Sequence, residues 1–150
     1  MKISDAGLAL IREFEGLRLE AYPDPATGSD PWTVGYGHTG KDVVTGLRIT
    51  EEEAERLLLV DCAEFEDCVN ELVEVDLQQH QFDALICFVF NLGCNAFRSS
   101  TLRRLVNQGN FEAAEAQFAR WDKAAGKVMP GLTRRRAAEA DLFSKTEGTA

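Results

Sequence analysis

The chain has 150 residues, of which 45% are hydrophobic and 27% charged, and its formal net charge is −9. That length suits one globular domain with a proper core, whereas the acidic balance argues against a nucleic-acid partner, whose phosphates demand a basic face. No apolar run approaches the roughly 20 residues of a membrane helix, the best being Ala84 to Leu92, and Asp5, Arg12, Glu13 and Glu15 make the start too charged for a signal-peptide core.

In chain order, Ser4 is placed to cap a helix in which Ile3, Gly7, Leu10, Ile11 and Phe14 share one face, ending near Glu15 with Gly16 as the stop. From Leu17 to His38, Pro23, Pro25, Gly28 and Pro31 forbid a helix, and Trp32 to Tyr36 alternates like a strand, so a small irregular antiparallel sheet is expected. Gly37 to Arg48 is read as a loop. Thr50-Glu51-Glu52-Glu53 is a capping box opening a helix over about 51–72, with Ala54, Leu57, Leu58, Cys62, Phe65, Val69 and Leu72 as its apolar stripe.

Asp76 is placed to cap the next helix, Leu77 to about Asn91, which is apolar nearly all round through Phe82, Leu85, Ile86, Phe88, Val89 and Phe90. Gly93 ends it. Shorter helices are expected at about Ser100 to Asn107, Phe111 to Asp122 and Leu132 to Phe143, with loops at Gly109-Asn110 and from Ala125 to Gly131. The pattern predicts one α+β domain: a sheet lobe at about 13–49, a linking helix at about 51–72, and a helical lobe at about 76–143 joined by the N-terminal helix. Cys62, Cys68, Cys87 and Cys94 show neither zinc-ribbon spacing nor a disulfide framework and are read as small core residues with free thiols. With His38 and His80 the only histidines, neither a metal nor an organic cofactor is expected.

Glu15 stands where a general acid could be built. The negative pole at the end of the first helix disfavours a further negative charge there, and Phe14 and Leu17 would remove water from the carboxyl. Asp24 follows nine positions on, in a Pro-rich turn. Strict alternation would put Thr33, Gly35 and Gly37 on one face, a groove floor on which a sugar ring could lie, and Trp32, Val34, Tyr36 and His38 on the other. Acid cleavage of a glycosidic bond needs such a proton donor and a second group that activates water or stabilises a cationic sugar.

The chain resembles the phage lysozymes, glycoside hydrolase family 24. The stretches that carry the resemblance are Phe14-Glu15-Gly16-Leu17-Arg18-Leu19-Glu20-Ala21-Tyr22, Asp24, Trp32 to Gly40, Ile49-Thr50 with Glu53-Ala54-Glu55, Gln81 to Leu85 with Phe90-Asn91-Leu92-Gly93, and Pro130 to Arg136. The resemblance implies a lysozyme-like fold and hydrolysis of the β-1,4 bond between N-acetylmuramic acid and N-acetylglucosamine in bacterial peptidoglycan. Glu15 would be the acid, with Asp24 and Thr33 holding the attacking water. Gly35, Gly37, Asp30, Asn91 and Arg135 would contact substrate.

The loop Thr27-Gly28-Ser29-Asp30 is longer than in many members of the family, which brings Asp30 into contention as the second carboxylate. A turn in which an aspartate bonds its own backbone is its ordinary reading, so Asp24 is preferred. The resemblance also implies that His38 pairs with Asp61. Arg134 to Arg136 are read by default as a solvated cationic face, whereas the resemblance implies that one of the three, with Arg135 the best aligned, hydrogen-bonds Glu15. A monomer is expected, made in a host cytoplasm and acting on the wall after release. A lytic transglycosylase and a non-catalytic wall-binding protein of the same fold are the alternatives.

Overall fold

The computed structural model describes residues 1–145. Its elements in order are α1 (Asp5–Glu15), β1 (Arg18–Tyr22), β2 (Thr33–Gly35), β3 (His38–Thr39), α2 (Glu51–Leu72), α3 (Gln79–Leu92), α4 (Cys94–Arg98), α5 (Thr101–Asn107), α6 (Phe111–Gln117), a 3-10 turn at Phe118–Arg120, β4 (Lys123–Ala124), β5 (Lys127–Val128) and α7 (Pro130–Ser144). The α+β class expected from the sequence is present. The chain divides into two compact units, one of Ile11–Glu64 and one of Met1–Leu10 with the chain from Phe65 onward.

In the first of these, β1, β2 and β3 form an antiparallel sheet in that order. Arg18 lies opposite Gly35 and Tyr22 opposite Thr33, with an irregularity between them, and Thr33 lies opposite Thr39. The stretch read as a loop contributes more than a connection: Ala21 donates its amide to the Leu47 carbonyl and Ile49 donates to Leu19, so residues 47–49 run along the free edge of β1. Ala21, Val34, Val43 and Leu57 make the core, with Trp32, Leu47 and Ile49 packed on it. The sheet is therefore closed on one side by the start of α2. Thr50 caps that helix by accepting the Glu53 amide at 3.1 Å, as its sequence predicts.

The other unit is built on α3, whose Phe82, Leu85, Ile86, Phe88 and Val89 are fully buried. Phe88 meets the rings of Phe97, Phe118 and Trp121 edge-on at 6.4, 5.6 and 5.6 Å, a preferred aromatic geometry. Burying one such phenylalanine is worth about 1.5–3 kcal/mol. The N-terminal half of α1 comes close to α3 through Gly7, where an added Cβ would stand 2.9 Å from Asp83 and 2.7 Å from Ile3.

Several sequence expectations are corrected here. The Ser4 hydroxyl bonds the buried Asp83 carboxylate, which also accepts the Ser4 amide at 3.0 Å and the Gln79 side chain at 2.8 Å. An intrahelical partner is thus replaced by a tertiary one. The third helix starts at Gln79, not Leu77, because Gln78 and Gln81 form its cap, with the Gln78 amide on Gln81 Oε1 at 2.9 Å, and Asp76 lies outside it. Helix α4 lies between two expected helices, where no element was assigned, and β5 with the turn of the β4–β5 hairpin occupies the stretch from Ala125 that was read as a loop. The hairpin turns at Ala125 (φ 52°) and Gly126 (φ 80°), the paired left-handed conformation that a tight two-residue turn needs.

The free-thiol reading holds for Cys62 and Cys87, which are buried, and fails for the other pair. Cys68 on α2 and Cys94 at the start of α4 form a disulfide, their Cα atoms 6.1 Å apart. Their 26-residue separation carries no motif, so the pairing follows from the fold that brings the two cysteines together.

Candidate active site

Glu15 is the last residue of α1. The chain turns away immediately after it, because Gly16 takes φ 72° while its amide still bonds the Arg12 carbonyl at 3.0 Å; this is the left-handed stop that glycine favours. The carboxyl of Glu15 is half-buried against the tip of the β2–β3 hairpin, where a Cβ added to Gly37 would stand 2.8 Å from Glu15 Oε1. Glycine at position 37 is what lets the carboxyl approach the backbone.

Strict alternation along 32–38 is corrected. Strand β2 ends at Gly35, and Gly35, Tyr36 and Gly37 form a turn with φ 67° and 80° at its two glycines. The Cβ direction of Gly35 points to Ala54 and Ile49 at 3.5 Å, a packed surface and not an open floor. Of the two glycines read as a groove floor, only Gly37 faces the candidate acid.

Asp24 follows β1 by two residues, and Thr33 opens β2 opposite Tyr22, so the strand pairing brings Asp24 and Thr33 to the same end of the β1–β2 ladder. The loop between them closes on itself: the Asp24 amide bonds the Ser29 carbonyl at 3.0 Å, and the Asp24 carbonyl accepts Gly28 at 2.7 Å. The self-bonding turn expected of Asp30 belongs to Asp24, whose Oδ1 accepts the Ala26 amide at 2.9 Å. Asp30 is exposed, and its carbonyl accepts the Thr27 hydroxyl at 3.1 Å.

His38 at the start of β3 is clamped by two carboxylates, with Nδ1 2.8 Å from Asp61 Oδ2 and Nε2 3.1 Å from Asp42 Oδ2. The pair with Asp61 was expected; Asp42 was missed, although it lies four residues on, just past the Gly40 turn. Burial pulls the His38 imidazole down, but the hydrogen bonds and charges of Asp61 and Asp42 outweigh it and hold it above its ordinary value. Asp42 is correspondingly held low, chiefly by His38.

A second network escaped the sequence reading. Arg12, one helical turn before Glu15, grips Glu55 of α2 in a two-point fork, Nε to Oε1 at 2.8 Å and Nη2 to Oε2 at 2.6 Å. The Tyr36 hydroxyl stands near the same carboxylate, close enough for each to act on the other's ionisation. Arg12 holds Glu55 below its ordinary value, whereas burial and then the Glu55 charge raise Tyr36.

The remaining expected contacts, Asn91 and Arg135, lie in the unit built on α3. Arg135 and Arg136 are 4% and 1% exposed, which corrects the reading of a solvated cationic run; only Arg134 is exposed. Arg135 donates to Glu139 at 3.2 Å and to the Cys87 carbonyl at 3.1 Å. Arg136 donates to Asn91 Oδ1 at 2.9 Å, and its Nε stands 2.8 Å from Glu139 Oε1 as an ion pair without a well-aligned hydrogen bond. Burial pushes Glu139 up and Arg136 down despite their opposite charges. A run of three arginines looks solvated because sequence does not show that Glu139, one turn later, is there to receive two of them.

A family model described as phage lysozyme matches residues 12–139. An endolysin of Bacillus phage B103 is 49% identical over 143 residues, covering 95% of this chain and 54% of that protein. An endolysin of Salmonella phage P22 is 42% identical over 147 residues, covering 95% and 98%. The chain spans about half the length of the Bacillus phage relatives it matches. Among solved structures, the muramidase domain of SpmX from Asticaccaulis excentricus is similar with a TM-score of 0.89 at 42% identity, over 97% of this chain and 99% of that one. A match across most of the chain, with relatives this similar covering nearly all of it, means that the chain belongs to the phage lysozyme family.

Proposed function

We propose that this chain is a peptidoglycan hydrolase that cleaves the β-1,4 bond between N-acetylmuramic acid and N-acetylglucosamine, with Glu15 as the proton donor. The observation that carries this reading is the seat of Glu15: a carboxyl at the end of α1, half-buried and backed by Gly37, in a family whose relatives are named endolysin and muramidase.

Asp24 and Thr33 are the groups that would hold the attacking water. Their placement at one end of the β1–β2 ladder supports the assignment, and the Ala26 bond leaves the Asp24 carboxylate a second oxygen for that work. Asp30 is the lesser candidate, since it sits in an exposed loop. Such a pair acts by inversion when acid and base stand roughly 6.5 to 9.5 Å apart with room for one water. Asn91 and Arg135 are proposed as further substrate contacts on the family resemblance alone.

The test is lysis of outer-membrane-permeabilised bacteria, followed by turbidity. Glu15→Gln should fold normally and lose about 10²-fold or more in rate, the usual worth of general acid catalysis. Asp24→Asn should lose far more activity than Asp30→Asn. Glu15→Gln lysing within about threefold of wild type, against that 10²-fold expectation, removes Glu15 as the acid, and the reverse order of the two aspartates moves the second role to Asp30. Mass spectrometry of the fragments separates hydrolysis from transglycosylation, which would leave a 1,6-anhydro sugar.

A further inference from the structure

The proposed acid does not stand on α1 alone. Its carboxyl rests on Gly37, and Gly37 is one residue of a three-residue turn whose place must be set by something outside the sheet. Strand β2 has only three residues and β3 two, so the ladder itself gives the tip little rigidity. Each residue of the turn is met by a different partner: Gly35 by Ala54, Tyr36 by the carboxylate of Glu55, and Gly37 by Glu15. Ala54 and Glu55 are neighbours in the first turns of α2, and Glu55 is in turn gripped at both oxygens by Arg12 of α1.

We infer that Arg12, Glu55 and Tyr36 form a lock that sets Gly37 against Glu15, which makes Tyr36 and Glu55 positioning residues of the hydrolytic site. The inference rests on the reading of Glu15 as the acid.

The chemistry suits that task. A guanidinium fork fixes a carboxylate in both distance and plane, so Glu55 presents a negative charge at a defined place beside the phenol. The link joins α1, the hairpin turn and α2 through side chains, at a place where no backbone ladder joins them. If the lock served stability alone it would be a poor investment, because Arg12 and Glu55 are 33% and 40% exposed and exposed pairs contribute little. Placed one turn from Glu15, the same contacts fix a geometry on which the rate depends, since misplacement of a reacting group by about 1 Å can cost 10²-fold.

The experiment compares wild type, Tyr36→Phe, Glu55→Gln and Glu15→Gln on soluble, uncross-linked strands of alternating N-acetylglucosamine and N-acetylmuramic acid, with thermal melts of each. Tyr36→Phe should lower kcat by about tenfold or more while KM stays within about twofold, a loss confined to alignment. Glu55→Gln should do the same, and it carries the test if the phenylalanine variant does not fold. A second readout is spectroscopic: the chain has two tyrosines, so in a Tyr22→Phe background tyrosinate absorbance reports Tyr36, and Glu55→Gln should move its ionisation to lower pH. A kcat equal to wild type in both variants, with Glu15→Gln inactive, overturns the lock and leaves Glu15 standing. A rise in KM with kcat held overturns it as well. An active Glu15→Gln overturns the reading of the acid, and the lock with it.

Discussion

At the scale of single residues the site depends on one missing side chain. Gly37 has φ 80°, and an alanine there would also bring its Cβ to 2.8 Å from Glu15 Oε1. Gly46 has nearly the same backbone, φ 84°, with nothing within 4 Å of the added carbon. The two positions separate strain from collision. A left-handed alanine costs about 1 kcal/mol or somewhat more, so both Gly37→Ala and Gly46→Ala should lower the melting temperature by a few degrees. Only Gly37→Ala should also lose lysis, by about tenfold or more, because it must displace the Glu15 carboxyl. Equal activity in the two variants would mean that Gly37 is a turn residue and nothing else.

Among the elements, α4 illustrates how a short helix can be stabilised from outside. Five residues are too few for a helix to persist by its own hydrogen bonds. It survives because Phe97 is fully buried beside Phe88 and because Cys94 is tied to Cys68 of α2. A cross-link closing a 26-residue separation restricts the unfolded chain by an amount that the chain-entropy model puts at about 3.5 kcal/mol. Reduction with dithiothreitol, or Cys94→Ser, should therefore lower the melting temperature by about 7–14 °C in a domain of this size. Cys62→Ser and Cys87→Ser test a different property, burial, and should melt identically with and without reductant. An unchanged melting temperature on reduction would remove the disulfide from the account of α4.

For the molecule as a whole, the His38 clamp makes stability depend on pH in a calculable direction. A histidine held above its ordinary value stabilises the fold fully below that value and loses the contribution as pH rises through the folded one. Asp42, held low, contributes above the ordinary carboxylate range and loses its share as pH falls through its folded value. The two limits leave a window between about pH 4 and pH 6.5 in which the clamp acts in full. A further reason is structural. A neutral imidazole carries one N–H and cannot donate to both carboxylates, so deprotonation must release one. His38→Asn should melt below wild type by on the order of 5 °C at about pH 5.5, with the gap narrowing by about pH 9. A gap that widens with pH would reverse the assignment of charge to this cluster.

What the sequence by itself determined was whatever is written in local chemistry. The stop of α1 is legible because Gly16 directly follows the apolar face. The 22 residues of α2 are legible because a Thr-Glu capping box opens a stripe without Gly or Pro, and they appear with the expected bounds. The position of Glu15 at the end of its helix follows from the same signals, as does the family from motifs kept in order along the chain.

Tertiary structure decided what depends on partners distant in sequence. Asp83, 79 residues from Ser4, takes the hydroxyl that local chemistry assigned to a helix cap. Ala54 and Ile49 fill the space beside Gly35 that alternation had left for a sugar, because left-handed glycines end the strand before its period can continue. Glu139 draws Arg135 and Arg136 out of water, and Glu55 gathers Arg12 and Tyr36 beside the acid. In each case the side chain had several partners of suitable chemistry along the chain. The choice among them is made by the packing of whole elements, which brings one of those partners within hydrogen-bonding distance and leaves the others out of reach.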